Sequence, residues 1–167
     1  MPLAKPCCLI LACGNTLRED DGVGPWLAEW AKSRFRTEQG VRVLARQQWT
    51  PELVEEIIQA QSVIFIDCAT NFAPGEIHLA AVEPSAELPR LLTHQLSASE
   101  LLALCREYYN SLPRCAMLLT VGAGSLELRE GFSRPVQAIL PEAANALERT
   151  VLHLLSVTAD TDPADSA

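Results

Sequence analysis

Three short runs of almost uninterrupted apolar residues limit most strongly the folds open to this chain. They lie at Cys7–Cys13, Ser62–Ile66 and Cys115–Val121. A strand that is apolar at successive positions, rather than at every second position, is typical of a strand covered on both faces. These runs therefore predict a sheet whose inner strands are buried between layers of helices.

Helical patterns and two further strands fill the intervals between these runs. We predict helices over residues 22–35 and 135–157, and a capping box at Ser97–Glu100 begins another helix. Further strands are predicted over residues 41–47 and 76–82. This order of elements predicts the α/β class: a three-layer α/β/α sandwich with a mainly parallel or mixed twisted sheet of about five strands, phosphorylase/hydrolase-like in its layout.

The length of 167 residues fits a single domain. We predict one domain over residues 1–157 and a disordered polar tail over residues 158–167.

The charge and the cysteines narrow the classes of partner and compartment. Thirteen Lys and Arg residues against 21 Asp and Glu residues give a net charge of −8, which disfavours binding to nucleic acid or to an anionic membrane surface. No apolar run approaches the roughly 18–20 residues that cross a bilayer, and the first residues lack the pattern of a secretory signal. The six cysteines include no C-x-x-C pair and are expected to be reduced. Together these features predict a cytoplasmic protein.

Polar residues that suit metal binding follow two of the predicted strands. In open α/β sheets, ligands collect at the carboxyl ends of the strands. The first strand is followed by the acidic cluster Glu19-Asp20-Asp21, the third ends at Asp67, and His94 precedes the capped helix. Two carboxylates and one imidazole suit a divalent transition metal better than calcium or magnesium.

Each of these residues also has a plainer interpretation. Acids at the start of a helix are favoured by the helix macrodipole, so Glu19, Asp20 and Asp21 could serve only as helix-starting charges. Asp67 could cap a loop, and His94 could be a surface residue or a hydrogen-bonded core residue. Spacing alone leaves both interpretations open.

Five segments resemble the hydrogenase maturation endopeptidases. Gly14–Gly24, with the sequence GNTLREDDGVG, is similar to the family signature G-N-x-L-x-x-D-[DE]-G-x-G. The resemblance continues in Ile64–Ala69, an apolar strand with an aspartate at its end, and in His94-Gln95-Leu96. It also includes Pro74-Gly75-Glu76 and Leu118–Ser133, which is similar to the family's last strand and the loop after it. The segments fall in the family's order from about residue 8 to residue 150.

This resemblance implies an endopeptidase that acts on the precursor of a nickel–iron hydrogenase large subunit and removes its C-terminal extension. It also implies that Asp21, Asp67 and His94 take the three nickel-contacting positions and form the catalytic site, with the general base unassigned. The nickel would be supplied by the precursor, which is the expected partner. Loss of the extension would let the large subunit close over its metal centre.

Several positions near this site leave alternatives open. Ala12 replaces the first glycine of the family's Gly-x-Gly-Asn turn, and Cys68 separates the strand-end aspartate from the following alanine. Cys13 and Cys68 could make the site softer and favour zinc or copper(I), or they could be small buried apolar residues. Gln48 and Trp49 could shape a substrate surface, although packing explains Trp49 equally well.

Two other functions remain as alternatives to the endopeptidase. One is a non-catalytic nickel-binding or scaffolding protein that docks on a hydrogenase precursor without cutting it. The other is a small-molecule α/β hydrolase, which is disfavoured because Gly122–Ser125 lacks the final glycine of a Gly-x-Ser-x-Gly nucleophile elbow. The chain also has no His-Glu-x-x-His zinc motif and no Gly-x-Gly-x-x-Gly after the first strand.

Overall fold

A computed structural model describes residues 6–36, 40–90 and 95–159 of the chain. The strands are β1 (Cys8–Cys13), β2 (Val41–Arg46), β3 (Ser62–Ala69), β4 (Ile77–Ala81) and β5 (Cys115–Gly122). The longer helices are α1 (Val23–Arg34), α2 (Val54–Gln59), α3 (Ala98–Tyr109) and α4 (Arg134–Ala159). Short 3₁₀ helices at Glu19–Gly22 and Pro51–Leu53 precede α1 and α2.

Within the described residues the strands form one five-stranded sheet in the order β2-β1-β3-β5-β4. Strands β2, β1, β3 and β5 are parallel to one another, and β4 is antiparallel to β5. The predicted mixed sheet of about five strands is therefore confirmed. Because β1 and β3 are parallel neighbours, the loops that follow them lie at the same edge of the sheet.

The apolar strands divide their side chains between two cores. Every second residue of β1, from Cys8 to Ala12, packs with α1 and α4. The residues between them, from Leu9 to Cys13, pack with α2 and α3. β3 divides in the same way, and its Phe65 lies on the face of α2 and α3. Both faces of the sheet are covered by helices, so the predicted three-layer arrangement is confirmed.

Helix α3 begins as the capping box predicts. The Glu100 N–H donates to Ser97 Oγ at 3.2 Å, and the Ser97 N–H donates to Glu100 Oε2 at 2.8 Å. These two bonds satisfy backbone donors that the first turn of a helix leaves without partners.

Three elements are longer than predicted. β5 ends at Gly122 rather than at Val121. β3 continues to Ala69, so Asp67 lies two residues before the end of the strand rather than at its end. α4 runs to Ala159, two residues beyond the predicted end of the domain at residue 157. The rest of the predicted tail, residues 160–167, lies outside the described residues. No helix in the described ranges is long and apolar enough to cross a bilayer.

Candidate functional site

The loop between β1 and the first 3₁₀ helix depends on two close backbone approaches. Gly14 has φ +146°, and a Cβ there would lie 1.9 Å from the carbonyl oxygen of Asp21. A Cβ at Gly24 would lie 2.2 Å from the carbonyl oxygen of Cys13. Both positions therefore require glycine. These contacts fold the loop back against the end of β1 and bring Asp21 beside it.

Asp21 is held by the turn at Asn15. The Asn15 N–H donates to Asp21 Oδ2 at 2.8 Å, and the Asn15 side-chain oxygen accepts from the Leu17 N–H at 3.0 Å. In the described part of the chain Asp21 Oδ1 accepts no hydrogen bond. The half-buried carboxylate thus has one oxygen fixed by the backbone and one oxygen open.

Asp67 has the same division between a bonded and an open oxygen. Its Oδ1 accepts from the Cys68 N–H at 2.7 Å and from the Cys13 thiol at 3.2 Å. Its Oδ2 accepts no hydrogen bond from the residues that the structure describes. Two open carboxylate oxygens are therefore available near the carboxyl ends of β1 and β3, the edge at which the sequence predicts the site.

Burial and mutual repulsion control the protonation of this cluster. Burial raises the pKa of Asp67 above its usual range, and the nearby charge of Asp21 raises it further, although the hydrogen bonds from Cys13 and Cys68 oppose the shift. Burial also raises the pKa of the Cys13 thiol, and the Asp67 and Asp21 charges add to this. For Cys68, burial and the same two carboxylates raise the pKa to about 12. Both thiols therefore hold their protons more strongly than an exposed cysteine does.

A stability measurement tests the raised pKa of Asp67. A carboxyl group whose pKa is higher in the folded state loses stabilising free energy as pH rises through that pKa. The side-chain amide of an Asp67→Asn variant carries no charge, and its oxygen can accept the same two hydrogen bonds. We therefore expect Asp67→Asn to have a higher Tm than wild type at pH 7, and the difference to shrink below the usual carboxyl pKa of about 3.9. Thermal unfolding followed across pH checks this, and a lower Tm for the variant at pH 7 would contradict it.

The third predicted site residue, His94, lies outside the described residues. The residue after it, Gln95, places its side-chain amide 3.7 Å from Cys13 Sγ, and the Leu96 N–H donates to the Trp49 carbonyl at 3.2 Å. The described ranges contain no group of three His, Cys, Asp or Glu residues arranged to hold a metal ion. The predicted metal role of Asp21, Asp67 and His94 thus stays a prediction.

Asp20 lies in the first turn of a helix, as one interpretation predicts, but it is buried and does more than start that helix. Asp20 is 0% exposed, and its carboxylate joins the first 3₁₀ helix to the loop between β5 and α4. Oδ2 accepts from the N–H groups of Gly124 and Ser125 at 2.8 and 2.9 Å and from Ser133 Oγ at 2.6 Å, while Oδ1 accepts from the Ser133 N–H at 2.8 Å. Burial acts to raise the pKa of Asp20, but these hydrogen bonds outweigh it and hold the pKa below its usual range.

Glu19 also lies in this first turn and holds the same loop in place. It is 1% exposed and has a left-handed backbone with φ +46°. Its Oε1 accepts from the Arg129 guanidinium at 2.5 Å, and its N–H donates to the Arg129 carbonyl at 2.9 Å. The hydrogen bond from Arg129 lowers the pKa of Glu19. The three adjacent acids therefore have different roles. Glu19 and Asp20 bind the loop between β5 and α4, whereas Asp21 has an oxygen without a hydrogen-bond donor in the described residues.

The alternatives at Trp49 are decided by its burial and contacts. Trp49 is 2% exposed and packs edge-to-face on Phe65, with ring centroids 5.2 Å apart, so it is a core residue. Gln48 is exposed beside it. All six cysteines are unpaired in the structure, and their reduced state in the cell stays a prediction.

An apolar groove of about 330 Å³ lies beside the loop that contains Asp21. Thr16 and Gly22 contribute to its wall from that loop, and Trp26 and Phe132 contribute aromatic rings. Neither Asp21 nor Asp67 lines this groove, whose rim also includes Glu19, Glu29 and Glu130.

Two sequence relatives identify the family of this chain. No protein-family profile matches the chain. The hydrogenase expression/formation protein HupM of Azotobacter chroococcum mcd 1 is 33% identical over 162 residues, which cover 89% of this chain and 76% of HupM. The hydrogenase expression/formation protein HoxM of Azotobacter vinelandii is 31% identical over 149 residues, which cover 84% of this chain and 70% of HoxM.

The fold has a counterpart among solved structures. The hydrogenase maturating endopeptidase HybD from E. coli superposes with a TM-score of 0.68 at 23% identity, covering 87% of this chain and 92% of HybD. That likeness establishes a shared fold, and the two sequence relatives establish the family. The chain belongs to the family of hydrogenase expression/formation proteins that includes HupM and HoxM.

Proposed function

We propose that this protein is an endopeptidase that recognises nickel in the precursor of a nickel–iron hydrogenase large subunit and removes the C-terminal extension. The observation that supports this most is the pair of carboxylates Asp21 and Asp67 at the carboxyl edge of the sheet. Each has one oxygen fixed by hydrogen bonds and one oxygen without a protein donor in the described residues. The relationship to HupM and the fold shared with the endopeptidase HybD support this reaction class, and the two carboxylates offer a position for the reaction.

The donor set that we propose fits a nickel-like ion. Carboxylate oxygens alone suit calcium or magnesium, whereas an imidazole favours nickel, zinc, copper or iron. We assign His94 as the third ligand, and the contact of its neighbour Gln95 with Cys13 supports that choice, since Cys13 touches Asp67. We assign no ligand role to Cys13, because its buried thiol already donates to Asp67 Oδ1.

Fixed donors around the carboxylates have a direct consequence for recognition. A carboxylate side chain that backbone N–H groups already hold loses little conformational freedom when it binds a metal ion. Less of the binding energy is then spent on ordering the side chain. Asp21 and Asp67 repel one another, and a cation between them relieves that repulsion. The nickel belongs to the precursor, so the ion marks a correctly loaded substrate. It can polarise a carbonyl group or activate a water molecule.

The same features support the proposed partner and compartment. The partner is the nickel-loaded precursor of the large subunit, and its nickel has to reach the open oxygens of Asp21 and Asp67. The six free thiols match the state that a reducing compartment maintains, so we propose that the reaction occurs in the cytoplasm.

Incubation with candidate precursors tests the proposal against a scaffolding role. An endopeptidase should convert a nickel-loaded precursor into a shorter large subunit plus a free C-terminal peptide, at substoichiometric enzyme. A scaffold should bind the same precursor and leave its mass unchanged. Intact-protein mass spectrometry with size-exclusion chromatography distinguishes the two results, and stable binding without a mass loss would overturn the proposed activity.

A further inference from the structure

The thiol of Cys13 lies directly beside the carboxylate of Asp67 because of the strand register. β1 and β3 are parallel neighbours in which Ala12 is paired with Ile66, so the next residues of the two strands are also adjacent. Cys13 packs in the core on the side of α2 and α3. Its Sγ donates to Asp67 Oδ1 across 3.2 Å.

That contact determines which oxygen of Asp67 is open. Oδ1 accepts two hydrogen bonds, from the Cys13 thiol and from the Cys68 N–H at 2.7 Å. Rotation of the carboxylate would break both bonds, so the two donors together fix its plane. Oδ2 is then the oxygen left without a donor in the described residues.

Cys13 also has a second polar neighbour. The side-chain amide of Gln95 donates to its Sγ at 3.7 Å, and the thiol is 1% exposed, so water does not compete for these contacts. The thiol thus joins Asp67 to the segment that begins immediately after His94.

We propose that Cys13 is a positioning residue: its thiol holds Asp67 Oδ1, presents Oδ2 to the nickel-loaded precursor, and connects Asp67 to the Gln95 segment. This inference rests on the proposed function, because an oriented Asp67 matters only if Asp67 acts on the substrate. Cys13 itself contacts neither the nickel nor the scissile bond in this arrangement.

Substituting Cys13 by alanine and by serine distinguishes two possible roles of the thiol, hydrogen-bond donation to Asp67 and packing in the core. A hydroxyl in a buried apolar position is worse than a methyl group when it has no partner, so a packing role predicts that Cys13→Ala outperforms Cys13→Ser. A donor role predicts the opposite order. We expect Cys13→Ala to lose about tenfold in kcat/KM, and Cys13→Ser to stay within about threefold of wild type. Cys105→Ala is the matched control, since Cys105 is buried in the same core and hydrogen-bonds neither carboxylate.

An infrared measurement on the free enzyme tests the hydrogen bond from Cys13 to Asp67 independently of any cleavage assay. The S–H stretching band of a thiol that donates to a carboxylate lies at lower frequency than that of an unbonded thiol. The difference spectrum of wild type minus Cys13→Ala should contain such a band, and the Cys105→Ala difference spectrum should contain none at that frequency. Absence of the band would overturn the proposal.

The two readouts distinguish a failure of this inference from a failure of the proposed function. If wild type cleaves the nickel-loaded precursor but Cys13→Ser is no better than Cys13→Ala, only the role of Cys13 is overturned. If wild type leaves that precursor uncut, the proposed function is overturned, and the positioning role that rests on it falls too. Urea unfolding of each variant shows whether a loss of activity reflects a loss of folded protein.

Discussion

Asp21→Asn and Asp67→Asn should each lower kcat/KM for the nickel-loaded precursor by about a thousandfold while the protein remains folded. Asparagine keeps nearly the same shape, and its side-chain oxygen can still accept the bond from Asn15 or from Cys13 and Cys68. What it removes is the negative charge on the open oxygen that we assign to nickel. His94→Ala should have an effect of similar size, because it removes the ligand that prefers nickel-like ions.

A matched control makes this comparison specific. Glu142 is an exposed acid on α4, so Glu142→Gln changes the net charge by the same amount without touching the site. Its kcat/KM should equal that of wild type. Initial rates over a range of precursor concentrations give kcat and KM separately. Activity of Asp21→Asn within about threefold of wild type would show that its charge is not used.

Asp20→Asn should have a large effect of a different kind, a loss of about 3 kcal/mol in the free energy of unfolding. The carboxylate of Asp20 accepts four hydrogen bonds at 0% exposure, and three of the donors meet one oxygen. In either orientation the amide NH₂ of an asparagine would face at least one donor. A buried donor without a partner and the loss of a charged acceptor both destabilise the fold.

The pH dependence of that loss provides a second check. The pKa of Asp20 is lowered in the folded state, so its stabilising contribution is present above the usual carboxyl range and disappears as pH falls through the folded pKa. The difference in stability between wild type and Asp20→Asn should therefore narrow in acid. Urea unfolding at several pH values measures this difference, and Glu142→Gln is the control variant that should leave the stability unchanged. A difference under about 0.5 kcal/mol at pH 7 would contradict the structural role.

The general position of the site follows from sequence patterns of short range. Continuous apolar runs in β1 and β3 predict strands buried on both faces, and the residues after such strands meet at one edge of the sheet. Asp21 and Asp67 could be assigned to that edge without a structure. The capping box at Ser97 is equally local, because its two hydrogen bonds join residues three positions apart.

The different roles of adjacent residues could not be predicted from such local patterns. Asp20 and Asp21 are adjacent acids at the start of a helix, and nothing local says which one is buried. The difference arises from Ser133, more than 100 positions away in the chain, whose N–H and hydroxyl both bind Asp20. The contact between Cys13 and Asp67 likewise depends on the register of β1 against β3, which the sequence of either strand does not determine.

One assay tests the central proposal most directly. Wild type and Asp21→Asn are each incubated with the same large-subunit precursor in a nickel-loaded and a nickel-free form, and intact masses are followed with time. We predict that wild type removes the C-terminal extension from the nickel-loaded form only, and that Asp21→Asn leaves both forms uncut. Efficient cleavage of the nickel-free precursor, or equal cleavage by both enzymes, would contradict recognition of nickel at this edge of the sheet.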